Sequence, residues 1–108
     1  MNRGELWIVP GGVYASKPRP ALVIQDDKYA ATDSVTVLPL TSTLIDAPLL
    51  RIPLDPNAVN GLQQASHVMI DKPTTVRRSN VHQRLGRVTA SQLVDIERAL
   101  LVFLGLAG

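Results

Sequence analysis

The chain has no cysteine. Disulfides, thiolate metal sites and a cysteine nucleophile are therefore excluded together, and the composition fits a reducing compartment. Aromatic residues are scarce: Trp7, Tyr14, Tyr29 and Phe103 are all there are. A protein that stacks many bases on rings would carry more. No apolar run reaches the roughly 18 residues needed to span a membrane. The polar opening Met1-Asn2-Arg3-Gly4-Glu5 is unlike a signal peptide, so the expectation is a soluble, cytoplasmic protein. No phosphate-binding loop, zinc-type cysteine pair or G-x-S-x-G elbow is present. Only two histidines occur, His67 and His82. They fall in different expected environments and neither has an evident serine partner. A histidine metal site and a serine nucleophile are thus both without support, and no cofactor is expected.

What is present is a chain of 108 residues, 45% hydrophobic and 19% charged, rich in Val, Ile and Leu. That length suits one domain over residues 1–108. A domain of this size buries only about 60–70% of the surface its unfolded chain exposes, so a homodimer would help it. The net charge of +2 is unevenly spread. Residues 1–60 hold five Lys/Arg against six Asp/Glu, and residues 61–108 hold six against three. Lys72, Arg77, Arg78, Arg84 and Arg87, with His82, form a stretch without an acid. Such a stretch is either a solvated loop or a polyanion-binding edge.

Strand-like runs dominate. Glu5 to Pro10 is short and apolar and stops at Pro10-Gly11-Gly12. Ala21 to Asp26 is nearly continuous, as in a strand buried on both faces. Ser34 to Thr41 alternates, and Pro39 within it argues for a bulge or a sheet edge. Leu49 to Leu54, Gln64 to Asp71 and Leu85 to Val88 complete the set. One helix is expected, at the end. Thr89 and Gln92 form a capping box; Leu93, Ile96, Leu100, Phe103 and Leu104 share a face; Gly105 is a stop. The plan is α+β, mostly β: a strongly bent sheet or partly open barrel of short strands with a C-terminal amphipathic helix.

Chemistry concentrates near Arg19. It stands between Pro18 and Pro20, directly before a buried strand. Each proline fixes φ and lacks an N–H, so the arginine is held on a stiff extended stem. Local physics leaves two readings open, a surface arginine in a turn and an anion-binding one.

Family resemblance narrows them. Arg3-Gly4-Glu5-Leu6-Trp7 resembles the opening R-G-(D/E)-(V/I/L)-(W/Y) of MazF/PemK toxins. Arg19-Pro20-Ala21-Leu22-Val23-Ile24, Val35 through Ser42 (VTVLPLTS), Asp71-Lys72-Pro73 and Arg84-Leu85-Gly86-Arg87 are similar to later segments of that family, in the same order and rough spacing. The resemblance implies a compact SH3-like barrel and a homodimer. It implies the toxin of a type II toxin–antitoxin system, an endoribonuclease cutting single-stranded mRNA at short motifs, held in check by an antitoxin with an acidic tail. It carries the catalytic roles to Arg19 and Thr41, and the PemK-branch aspartate to Asp71. This chain departs from that branch in three places. The first loop holds Val13, Tyr14, Ala15 and Ser16 where the branch has a histidine. Met69 stands where the branch has an arginine, and Lys72 where others have Gln.

The expected chemistry uses the substrate's own 2′-OH. Arg19 offers a permanently charged fork to the phosphate oxygens. Thr41 offers a hydroxyl to a phosphate oxygen or the 2′-OH. Asp71 either takes the 2′-OH proton or orients Arg19. Ser42 is a further phosphate contact, and Lys17, Lys72, Arg77 and Arg78 are candidates to track the RNA backbone. His67 is expected to be packed in its strand. The first loop, freed by Gly11-Gly12, is a candidate gate. A different class stays open beside this one: a CcdB-like toxin that binds and poisons DNA gyrase without cutting RNA.

Overall fold

A computed structural model describes residues 1–11 and 17–108. Among these, seven strands and one helix follow in order: β1 (Glu5–Val9), β2 (Arg19–Val23), β3 (Ser34–Thr41), β4 (Arg51–Leu54), β5 (Ser66–Met69), β6 (Thr74–Arg77), β7 (Gln83–Arg87) and α1 (Ala90–Phe103). The strands pair antiparallel in the order β4-β5-β3-β2-β1-β7, with β6 also on β3. The sheet curls into a partly open barrel, the α+β plan expected from the strand-rich sequence. No helix among the described residues is long and apolar enough to cross a membrane.

The eight-residue strand β3 is the hinge of the topology. Its first half pairs with β6 up to Val37↔Thr74, and its end pairs with β5 from Leu40↔Val68. Pro39 sits in the gap between these two partners. The proline therefore marks neither an edge nor a bulge, but the place where a central strand changes neighbour and its missing N–H is tolerated.

β2 is buried on both faces, as its unbroken apolar run implies. Leu22 joins a cluster with Leu6, Leu38, Leu40, Val68 and Ile96, while Ala21 and Val23 join a second cluster with Val9, Val35 and Val37. β2 starts two residues and ends three residues earlier than expected. Gln25 and Asp26 are taken out of it by side-chain bonds: Gln25 accepts from the Thr36 N–H (3.1 Å), and Asp26 accepts from the Lys28 N–H (2.9 Å) and caps a single 3₁₀ turn. β4 starts at Arg51 because a turn precedes it, with the Leu50 N–H on the Ala47 carbonyl. β6 was not expected, since its run of Thr, Val and Arg has too few apolar positions to stand out from the basic stretch.

The resemblance to the R-G-E-L-W opening has a structural content. Gly4 takes φ +90, a conformation other residues adopt at a cost. Its N–H bonds the Val23 carbonyl and its carbonyl accepts from Val88. Arg3 pairs with Glu97 on α1 at 2.7 Å. Glu5 accepts from the Asn2 N–H (2.6 Å), from Trp7 Nε1 (3.2 Å) and from Arg84 Nε (2.8 Å). Burial pushes the Glu5 carboxyl up, but the bonds from Asn2, Arg84 and Trp7 together outweigh it and hold its pKa below the ordinary value. These residues fasten the N-terminus to β7 and to α1.

α1 carries the expected capping box, with Thr89 and Gln92 satisfying each other's backbone N–H. It ends in a Schellman arrangement: Gly105 at φ +75, its N–H on Val102, and the Leu106 N–H on Leu101. Ile96 is fully buried, and Leu93, Ala99 and Leu100 pack beside it. Phe103 and Leu104 depart from the expectation, since they are 44% and 50% exposed. The helix outruns the small core it covers, and its last turn projects past the barrel.

Candidate functional site

Arg19 opens β2 opposite Val9 of β1. Between β2 and β3 the register runs Ala21↔Pro39, Leu22↔Leu38, Val23↔Val37. Continued two residues beyond Ala21↔Pro39, that register brings Arg19 and Thr41 to the same face at the rim of the barrel, and both side chains line the same two depressions there. The alternation that buries Ala21 and Val23 on that face is what holds the Arg19 stem there. Its Nε is enclosed and has no hydrogen-bond partner among the described residues. The Thr41 oxygen accepts from the Thr43 N–H at 3.1 Å, which leaves its proton available to donate.

Arg19 and Thr41 form a ridge between two depressions and line both. The first, about 460 Å³, also holds Lys17, Ser42, Gln63, Gln64 and Gln83. The second, about 620 Å³, holds Thr43, Met69, Lys72, Thr74 and Arg77. No Asp or Glu lines either one among the described residues. An acid-free double depression with cations along it is suited to an extended polyanion.

The structure thus gathers Arg19, Thr41, Ser42, Lys17, Lys72 and Arg77. Two further candidates stand apart. Asp71 lines neither depression, and its carboxylate is engaged by the Arg51 guanidinium, which also bonds the Leu50 carbonyl at 3.1 Å. Arg51 is the cross-strand partner of Met69. A guanidinium is thereby set beside Asp71 from the neighbouring strand. Arg78 is spent on the protein itself, donating to the Thr32 carbonyl (2.6 Å) and the Tyr29 carbonyl (3.2 Å). His67 lies across from Thr41, with its Nδ1 enclosed and unpartnered. Among the described residues no three His, Asp or Glu side chains cluster as a metal site requires. The proposed gate at positions 12–16 lies outside the described residues.

Gln63, Gln64 and Gln83 were missed by sequence reasoning. Nothing in their spacing signals a site, because a loop and a strand 20 residues apart bring them together.

Residues 2–104 match the family described as PemK-like, MazF-like toxin of type II toxin–antitoxin system. The chain is 51% identical, over the full length of both proteins, to a probable endoribonuclease MazF of Mycolicibacterium smegmatis. Among solved structures, the Mycobacterium tuberculosis toxin MazF-mt6 superposes with a TM-score of 0.81 at 28% identity, covering 96% of this chain and 99% of that one. A mycobacterial endoribonuclease in complex with its cognate antitoxin shares the fold, with a TM-score of 0.82 at 24% identity over 100% of this chain and 98% of that one. Joined to the curled sheet and the Arg19–Thr41 ridge, the match over nearly the whole sequence places this chain in the MazF/PemK family of type II toxins.

Proposed function

We propose that this protein is a metal-independent, sequence-specific endoribonuclease that cuts single-stranded mRNA. The observation that carries this reading is the placing of Arg19 and Thr41 together where two acid-free depressions meet, in a chain of the MazF/PemK family. RNA lies along both depressions with its scissile phosphate over the ridge. The ribose 2′-oxygen attacks phosphorus, the bond to the 5′-oxygen breaks, and the proton lost by one is replaced from solvent on the other. Negative charge builds on the non-bridging oxygens, where the Arg19 fork can donate in parallel. The Thr41 hydroxyl donates to the same phosphate or holds the 2′-oxygen. Asp71, bound to Arg51, acts at one remove by fixing the start of β4 against the end of β5. The gyrase-poisoning alternative has no observation in its favour.

Cutting of a long unstructured RNA by purified protein in EDTA tests the reading directly. Thr41→Val sharpens it. The β-branched shape stays and the hydroxyl goes, so the rate should fall at least about tenfold, the scale of one lost transition-state hydrogen bond. The Thr43 N–H it frees is exposed and turns to water, so the melting temperature should hardly move. A collapse of stability with unchanged turnover would make Thr41 a structural residue only.

The same reading includes a homodimer and an antitoxin. Leu101, Val102, Phe103, Leu104 and Leu106 leave an apolar surface at the end of α1, each at least 41% exposed, which supports a second copy covering it. Sedimentation at micromolar concentration should give twice the chain mass; an active, strictly monomeric species would refute this. The acid-free site supports an antitoxin whose acidic tail folds onto it. An acidic peptide should compete with RNA, and simultaneous binding of both would count against a shared surface.

A further inference from the structure

The two depressions differ in chemistry. The second is the more cationic: beside Arg19 it has Lys72 and Arg77, with the hydroxyls of Thr43, Thr74 and Thr75, an apolar wall that includes Val37 and Met69, and a single side-chain amide, Asn80. The contacts such cations and hydroxyls make to phosphates position the strand and carry no sequence information. The first has one cation besides Arg19, Lys17, and three primary amides, Gln63, Gln64 and Gln83, around an apolar floor of Ile8, Leu40 and Leu62. Each amide offers both a donor and an acceptor, the pattern needed to distinguish one base edge from another. The floor suits the flat face of an unstacked base. All three amides are exposed, and none has a partner among the described residues.

These amides are held by a rigid backbone. Gly61 sits at φ +67, and a Cβ there would lie 2.2 Å from the Leu85 carbonyl oxygen; a Cβ on Gly86 would lie 2.1 Å from the Val59 carbonyl oxygen. The loop that carries Gln63 and Gln64 is thus pressed backbone to backbone on β7, which carries Gln83. Asn60, 1% exposed, braces the loop from within. Its oxygen accepts from the Asn57 and Leu62 N–H groups, and its amide donates to the Asp55 carbonyl at 2.8 Å. A polar constellation on so fixed a support loses little entropy on binding and discriminates well.

We propose that the Gln63–Gln64–Gln83 depression reads the bases of the RNA while the Lys72–Arg77 depression grips its backbone, so that sequence choice is made on one side of the cut. This rests on the endoribonuclease reading above.

The test is to map cleavage ends on a long unstructured RNA for the wild type, for Gln63→Ala, Gln64→Ala and Gln83→Ala singly and together, and for Lys72→Gln with Arg77→Gln. The substituted side chains are on the surface, and melting temperatures confirm the fold. The glutamine variants should still cut, with discrimination relaxed about tenfold at one or more positions, all on the same side of the scissile phosphate. The Lys72/Arg77 variant should keep the wild-type motif, lose kcat/KM evenly over all sites, and show a shallower salt dependence. An unchanged motif in the triple glutamine variant would overturn the proposal, as would its complete inactivity or a motif altered by the Lys72/Arg77 changes. A wild type that cuts no RNA would instead overturn the endoribonuclease reading itself.

Discussion

Replacing Arg19 with alanine is expected to lower RNA cleavage by about a thousandfold while the barrel stays folded. The size follows from what the guanidinium does. A charged donor placed where negative charge develops contributes about 3–4 kcal/mol to lowering the barrier when it is a single preorganised bond, and a bidentate fork reaches the upper end of that range. The fold should tolerate the change because Arg19 is only half-buried, stands at the rim of the sheet and makes no side-chain hydrogen bond among the described residues. Removing its enclosed, unpartnered Nε strips the protein of nothing it uses in the free state. Arg19→Lys should restore little, since an ammonium on a flexible stem is a point charge without the planar pair of donors. Measured single-turnover rates, with melting curves as the control, decide the matter. An alanine variant at full activity would remove the centre of the mechanism.

The second large effect lies in the substrate. A strand with deoxyribose at the one sugar preceding the scissile phosphate should bind as the all-ribose strand does and not be cut, because the phosphate contacts to Arg19 persist while the nucleophile is gone. The loss is set by chemistry rather than affinity, so it should appear in the rate and leave the dissociation constant within about twofold, less than 0.5 kcal/mol. The ribose substrate should yield a 2′,3′-cyclic phosphate and a free 5′-hydroxyl, in EDTA as without it. No acid–histidine cluster among the described residues offers a route to a metal-activated water, and no histidine lines either depression. Efficient cutting of the deoxy-substituted strand, or products bearing a 5′-phosphate, would sink the internal-nucleophile mechanism and point to attack by water.

Several elements were legible in the sequence because a local rule sufficed. β3 follows from the alternation that Val35 and Val37 set within residues 34–41, and its bounds match the reading. α1 follows from Thr89, Gln92 and Gly105, whose side chains and backbone act within one turn of the helix they bound. Burial of β2 on both faces follows from the nearly continuous apolar run that Ala21 to Ile24 begin, and both core clusters draw on it. Other matches carried more identity than chemistry. Arg3, Gly4 and Glu5 helped to recognise the family, yet their side chains and backbone staple the terminus to α1, β2 and β7.

By itself, then, the sequence determined the family, the mostly-β plan, the final helix and the candidacy of Arg19 and Thr41. The plan and the helix rest on contiguous segments whose residues act on near neighbours, and the family and its two candidates rest on short segments kept in order along the chain. The tertiary structure alone decided the membership of the site. It sets Arg19 and Thr41 on the rim that both depressions share, ties Asp71 to Arg51 and Arg78 to the 29–32 turn, and brings Gln83 beside Gln63 and Gln64. The reason is physical. A binding surface is made where separate strands meet, and which strands meet is fixed by how the two apolar clusters close around the sheet, a property of the whole chain that no single window of residues contains.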